Sequence, residues 1–114
     1  HVVFMGMGEP LANIDNVVSA VSFLHDPEGY NLSLRRITIS TCGLVPGILD
    51  LSNRKVPVKL AVSLVTANDE KRSFLMPVNR SFNLAQLRNA LVRFQKVSGR
   101  RFTLEYCMIH DKNI

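Results

Sequence analysis

Gly6-Met7-Gly8-Glu9-Pro10 follows directly on the apolar run Val2-Val3-Phe4-Met5, and it is the segment of this chain best suited to meet a small ligand. Its glycines permit a tight turn and let backbone carbonyls and amides come close to a bound molecule. Glu9 would add a carboxylate at the same edge. Ser40 and Ser63 close two further strand-like runs, and each hydroxyl can both donate and accept a hydrogen bond. Together these three places form a polar rim that could hold a ligand with several polar groups. Each also has a plainer role, since a Glu in a turn commonly faces water and a Ser at a strand end commonly bonds the backbone. Glu105 shares its strand parity with Thr103 and Cys107 and faces either a polar lumen or solvent. His25 and His110 each precede an Asp and are expected in surface loops. The two cysteines, Cys42 and Cys107, match no metal-ligand spacing and are expected to be free, buried thiols. Two thiolates cannot hold an iron-sulfur cluster alone.

Elements that would position these residues follow from the apolar pattern. Val2 to Met5 is the first expected strand. Ile14, Val17, Val18, Val21 and Leu24 fall at helical spacing, with Asn13 as the expected cap and Asp26-Pro27 as the stop. Arg36 to Thr41 alternates as a strand, Gly43 and Pro46 mark a turn, and a short helix is expected over 47–51. Val58, Leu60 and Val62 alternate with Lys59, Ala61 and Ser63 to give the third strand. Asn68-Asp69-Glu70 caps a short helix that must stop by Pro77. Asn83 and Gln86 have capping-box spacing before the stripe Leu84, Leu87, Leu91, Phe94, Val97, and Ser98-Gly99 ends that helix. Phe102 to Met108 is the fourth strand. Strands joined by helical crossovers are parallel with right-handed connections, so the fold class is α/β, either half of a (β/α) barrel or an open sheet. In both, ligands gather at the carboxyl ends of the strands, where Gly8-Glu9, Ser40 and Ser63 fall.

The chain has 114 residues, 46% hydrophobic and 20% charged, which suits a single globular unit. No run approaches the roughly 20 apolar residues of a membrane span and no leader pattern is present, so no membrane association and a cytoplasmic location are expected. The sequence opens on His1 in an apolar run and stops soon after another, as though cut from something longer. The net charge of +5 is spread through doublets at Arg35-Arg36, Arg54-Lys55, Lys71-Arg72 and Arg100-Arg101. Such a balance favours contact with RNA phosphates, although scattered charge is commonly only a solvated surface.

Several segments together resemble one family in order and spacing. They are Val3-Phe4-Met5-Gly6-Met7-Gly8-Glu9-Pro10-Leu11, Arg35-Arg36-Ile37-Thr38-Ile39-Ser40-Thr41 with Gly43-Leu44-Val45-Pro46, and Leu60-Ala61-Val62-Ser63-Leu64. Ala67-Asn68-Asp69-Glu70, Met76-Pro77-Val78-Asn79-Arg80 and Glu105-Tyr106 complete the series. This is similar to the RlmN-like radical S-adenosylmethionine (SAM) RNA methyltransferases over nearly the whole chain.

The resemblance implies that residues 1–114 are the central part of a radical SAM core domain, a (β/α)6 barrel of which this chain would supply about four strands. It implies methylation of carbon 2 of adenine in 23S ribosomal RNA and in transfer RNA, with S-adenosylmethionine, a 4Fe-4S cluster and an external electron donor. A sister branch methylates carbon 8 but tends to lack the Pro of Gly-Glu-Pro, so Pro10 favours carbon 2. By resemblance, Gly8 and Glu9 would hold the methionine amino end of S-adenosylmethionine, and Ser40 and Ser63, with Leu64 and Val65 alongside, its remaining polar groups. The family commonly reads Ser-Leu-His where this chain has Ser63-Leu64-Val65, so a side-chain contact there is lost or passes to the backbone. No metal ligand and no catalytic residue is expected within the chain. The cluster-binding Cys-x3-Cys-x2-Cys and the methyl-carrying cysteine would lie outside it, leaving the isolated chain inactive and, with an open strand edge, prone to self-association. Set against this are a non-catalytic basic RNA-binding module or degenerate relative, and a different α/β ligand-binding protein.

Overall fold

The computed structural model describes residues 1–113. Four strands, β1 (Val2–Phe4), β2 (Ile37–Thr41), β3 (Lys59–Ser63) and β4 (Phe102–Glu105), form one parallel sheet in the order β1-β2-β3-β4. The crossovers carry α1 (Ile14–His25), α2 (Val45–Asn53), and then α3 (Asp69–Leu75), α4 (Val78–Ser81) and α5 (Leu84–Ser98) in succession. This sequential parallel order suits the barrel segment, one of the two α/β architectures that the pattern left open.

Local chemistry accounts for most boundaries. The Asn83 side chain accepts from Gln86 N while the Gln86 side chain accepts from Asn83 N, closing the capping box that starts α5. Gly99, at φ 70°, ends α5 in the left-handed conformation. Asn68 caps α3 by accepting from Lys71 N. Asn13 stands at the amino-terminal cap position of α1, but its side chain makes no bond to a helix amide: its carboxamide oxygen accepts from Asn16 Nδ2, and a 3-10 turn over Pro10–Asn13, capped by Glu9, leads into the helix. α2 is longer than expected, because Pro46 in its first turn needs no backbone donor there. β4 is shorter, ending at Glu105 rather than Met108, and the following segment folds into a turn in which Asn113 accepts from Ile109 N. α4 was not foreseen; Pro77 opens it.

The sheet has two unlike faces. On the covered face Ile37, Ile39, Leu60 and Val62 are fully buried under α1, α2 and α5, with Ile48, Leu87 and Phe94 as the main helical contributions. Laterally paired residues share a face, and the pairs Val3↔Thr38, Ser40↔Ala61, Ala61↔Thr103 and Ser63↔Glu105 therefore define the other one. Apart from Val3 it carries small and polar side chains: Thr38, Ser40, Lys59, Ala61, Ser63, Thr103 and Glu105. Residues with one face to a core and the other to a lumen are what a barrel wall requires.

A candidate cofactor site at the carboxyl ends of the strands

Ser40, Ser63 and Glu105 lie on the same, uncovered face, where Glu105 is exposed. Ser40 and Ser63 are half-buried, and among the described residues neither hydroxyl is used in a hydrogen bond, which leaves both available to a ligand. Gly6 and Gly8 sit at φ 96° and 102°, values that require glycine, and a Cβ at either would meet nothing within 4 Å. The glycines thus shape an open turn whose backbone is accessible. Ser63, Val65, Glu105, Tyr106 and Cys107 line a single cleft at the end of β3 and β4. A groove beside α3, lined by Asn68, Lys71, Phe74 and Lys112 among others, shares none of these residues.

Glu9 behaves differently from a free carboxylate at a ligand edge. Its Oε2 accepts from Thr41 Oγ1 at 2.7 Å and from Leu11 N at 3.0 Å, and its Oε1 accepts from Cys42 N at 2.8 Å. Thr41 Oγ1 in turn accepts from Gly43 N. The carboxylate therefore ties the loop after β1 to the end of β2. Cys42 feels the consequence: burial, then the charge and hydrogen bond of Glu9, push its thiol up to about 11, so it stays protonated and unreactive at neutral pH. Cys107 is exposed, against the expectation of two buried thiols. It lies past the end of β4, where nothing covers it.

Val65 stands at φ 68°, and Thr66 N donates to Leu64 O at 2.8 Å, which makes Val65 the centre of a γ-turn of the rare, strained hand. A β-branched residue is a genuine outlier there. The turn is held from both sides: Leu64 N donates to Glu105 O, and Asn113 Nδ2 donates to Val65 O.

Arg72 is the residue that the sequence most misrepresented. As half of the Lys71-Arg72 doublet it looked like surface charge, yet it is fully buried. Its Nε donates to Leu64 O at 3.0 Å, Nη1 to Asn79 Oδ1 at 3.0 Å, and Nη2 to Cys42 O at 2.8 Å and Ser63 O at 3.1 Å. Burial lowers its pKa. Asn79, also buried, is oriented by donating to Asp69 and to Ser73 Oγ. The accessible signal for Asn79 was its place in Met76-Pro77-Val78-Asn79-Arg80; nothing in the sequence marked Arg72 or Asn113. Arg35-Arg36, Arg54-Lys55 and Arg100-Arg101 instead precede β2, β3 and β4, at the opposite edge of the sheet from Ser40 and Ser63. Helix carboxyl termini converge at that edge, and cations there complement the helix dipoles; Arg54 is the carboxyl cap of α2 and pairs with Asp50 and Asp15.

His25 and His110 are exposed, as expected. Among the described residues no group of three or more His, Cys, Asp or Glu could hold a metal ion, so a 4Fe-4S cluster does not fit the residues present. Among the described residues no helix is long and apolar enough to cross a membrane.

No protein-family model matches the chain. A radical SAM methyltransferase of Sphaerobacter thermophilus superposes with a TM-score of 0.91 at 47% identity, over 97% of this chain and 33% of that one. Fold, strand-end polar rim and likeness together define the class: the chain matches, over nearly its whole length, a segment of a radical SAM methyltransferase. The dual-specificity RNA methyltransferase RlmN of Geotalea uraniireducens is 49% identical over 113 residues, and a probable dual-specificity RNA methyltransferase RlmN of Moorella thermoacetica is also 49% identical over 113 residues. Within that class the sequence falls in the RlmN family. The chain covers 99% of itself in these matches but spans only about a third of the relatives' length, 33% and 32% respectively.

Proposed function

We propose that this chain forms one wall of the S-adenosylmethionine site of a radical SAM RNA methyltransferase acting on carbon 2 of adenine in 23S ribosomal RNA and in transfer RNA. The observation that carries the reading is the placing of the Gly6–Gly8 turn, Ser40 and Ser63 at the carboxyl edge of one sheet, with the two serines on one face, in a chain whose relatives are named RlmN.

Each residue has a part that its geometry supports. Gly8 and Glu9 offer backbone polar atoms to the ammonium end of S-adenosylmethionine, while the Glu9 carboxylate, engaged by Thr41, Cys42 and Leu11, fixes the loop rather than the ligand. Ser40 and Ser63 supply hydroxyls from adjacent strands. Leu64 and Val65 continue the wall, and the missing imidazole at Val65 leaves the backbone of that turn as the polar element. Bound S-adenosylmethionine supplies the methyl group and the carbon radical chemistry; the chain's residues bind and orient it. The cluster and the methyl-carrying cysteine belong to parts of the protein outside this chain and the electrons come from an external donor; the chain on its own is inactive and self-associates through its open edges. The intact protein works in the cytoplasm without a membrane partner.

The test is S-adenosylmethionine binding by calorimetry in the intact protein, with Ser40→Ala and Ser63→Ala beside it. Each variant is expected to weaken binding about fivefold, the worth of one hydrogen bond of ~1 kcal/mol. Mass spectrometry of digested RNA should place the new methyl on carbon 2 of adenine. Methylation at carbon 8 would move the chain to the sister branch, and an intact protein that binds RNA but not S-adenosylmethionine would make it a non-catalytic module.

A further inference from the structure

We propose that Arg72 is a positioning residue for the ligand-binding strand ends: its buried guanidinium sets the backbone that carries Ser40, Ser63 and Val65, and thereby the affinity for S-adenosylmethionine, without touching the ligand. This rests on the reading that this edge binds S-adenosylmethionine.

A buried cation is expensive unless its donors are satisfied, and a well-packed apolar side chain of similar volume commonly serves stability as well or better. Among the described residues Arg72 has no carboxylate in ion-pair contact; the ion pairs involve Arg54 and His110. Instead three of its four hydrogen bonds go to backbone carbonyls, those of Cys42, Ser63 and Leu64. Two of these belong to candidate ligand-binding residues, and the third lies two positions after Ser40. One nitrogen, Nη2, bridges the ends of β2 and β3, so the two strands cannot shift relative to each other there without breaking a bond. The fourth bond, to Asn79, is itself locked: Asn79 donates to Asp69, and Asp69 Oδ1 accepts from Leu84 N at the start of α5. The positions of three helix starts are thus referred to the same two strand ends. Room is kept for the guanidinium at Gly43, where a Cβ would stand 3.2 Å from Nη2. Every partner lies at the carboxyl edge, and small displacements of positioned groups are costly to a bound ligand.

The experiment uses the intact protein with Arg72→Lys, Asn79→Ala, Ser63→Ala and, as a control in the core of α2, Ile48→Val. Calorimetric affinity for S-adenosylmethionine, the melting temperature, and KM and kcat are measured for each. Lysine keeps the charge but cannot reproduce the planar fork. Arg72→Lys should weaken binding about tenfold and Asn79→Ala about threefold, with KM rising and kcat at saturation retained. Ile48→Val should lower the melting temperature and leave affinity unchanged. If Arg72→Lys and Asn79→Ala bind within about twofold of the wild type while Ser63→Ala is weakened, the positioning role is wrong and the site stands. A fall in kcat at unchanged KM in both variants also overturns it, because lost folded protein alone gives that result. If Ser63→Ala binds as the wild type does, the site reading itself falls. Should Arg72→Lys not fold, Asn79→Ala decides the matter.

Discussion

The γ-turn at Val65 makes a prediction whose sign is opposite to the usual rule. Replacing Val65 by Ala removes the isopropyl contacts but keeps a Cβ at φ 68°; replacing it by Gly removes both. The difference between the two variants therefore isolates the cost of a Cβ in the left-handed region, about 1–2 kcal/mol. Against this stands the extra freedom of Gly in the unfolded chain, about 0.4–1 kcal/mol. The remainder favours Val65→Gly over Val65→Ala by about 0.5–1 kcal/mol, whereas at an ordinary position Gly is the less stable of the pair by a similar amount. Urea unfolding of the intact protein, followed through the transition of this domain, reads the difference directly. With a slope of roughly 1.5 kcal/mol/M, the Gly midpoint should lie about 0.5 M above the Ala midpoint. An Ala variant that is the more stable of the two would show that Val65 carries no strain, and with it the claim that Leu64, Glu105 and Asn113 hold an unfavourable turn in place would fall.

Further outcomes follow from other contacts. Gly47→Ala should destabilise by about 1–3 kcal/mol, because the new Cβ would stand 2.6 Å from Leu11 Cβ and force α2 away from the turn after β1; a melting curve unchanged by the substitution would contradict that packing. Glu9→Gln should cost about 1–3 kcal/mol, since an amide can offer an acceptor to the Thr41 hydroxyl or to Cys42 N but not to both, and unfolding of the variant by urea measures it. Iodoacetamide should label exposed Cys107 at neutral pH and leave Cys42 unmodified, as peptide mapping would show. The folded state holds the Cys42 proton more tightly than the unfolded chain. The stability linked to that proton is full below the unfolded value of about 9 and is lost as pH rises towards about 11. Melting temperatures should accordingly fall across that window, and less so in Cys42→Ser.

The strand-helix order was legible because it rests on local signals. Apolar runs or alternation marked all four strands, the Asn83–Gln86 box and Gly99 bounded α5, and Gly6 and Gly8 announced a turn that only glycine can make. From that order alone the carboxyl-end rule selected Gly8-Glu9, Ser40 and Ser63, and the register puts both serines on one face. Missed features depend on partners distant in sequence. The engagement of the Glu9 carboxylate by Thr41 and Cys42 escaped the sequence because it spans more than thirty residues, at separations of 32 and 33. Arg72 looked like surface charge because the carbonyls that accept its bonds carry no side-chain signature, and any residue could have supplied them. Nor does composition reveal that Val65 adopts a positive φ, since that conformation is imposed by the neighbouring strand and by Asn113. The sequence by itself determined the elements, their parallel order and the residues at the strand ends. Tertiary structure alone decided which of those residues keep unengaged polar groups at the rim and which are spent holding it, because hydrogen bonds between distant segments are set by where the chain brings them.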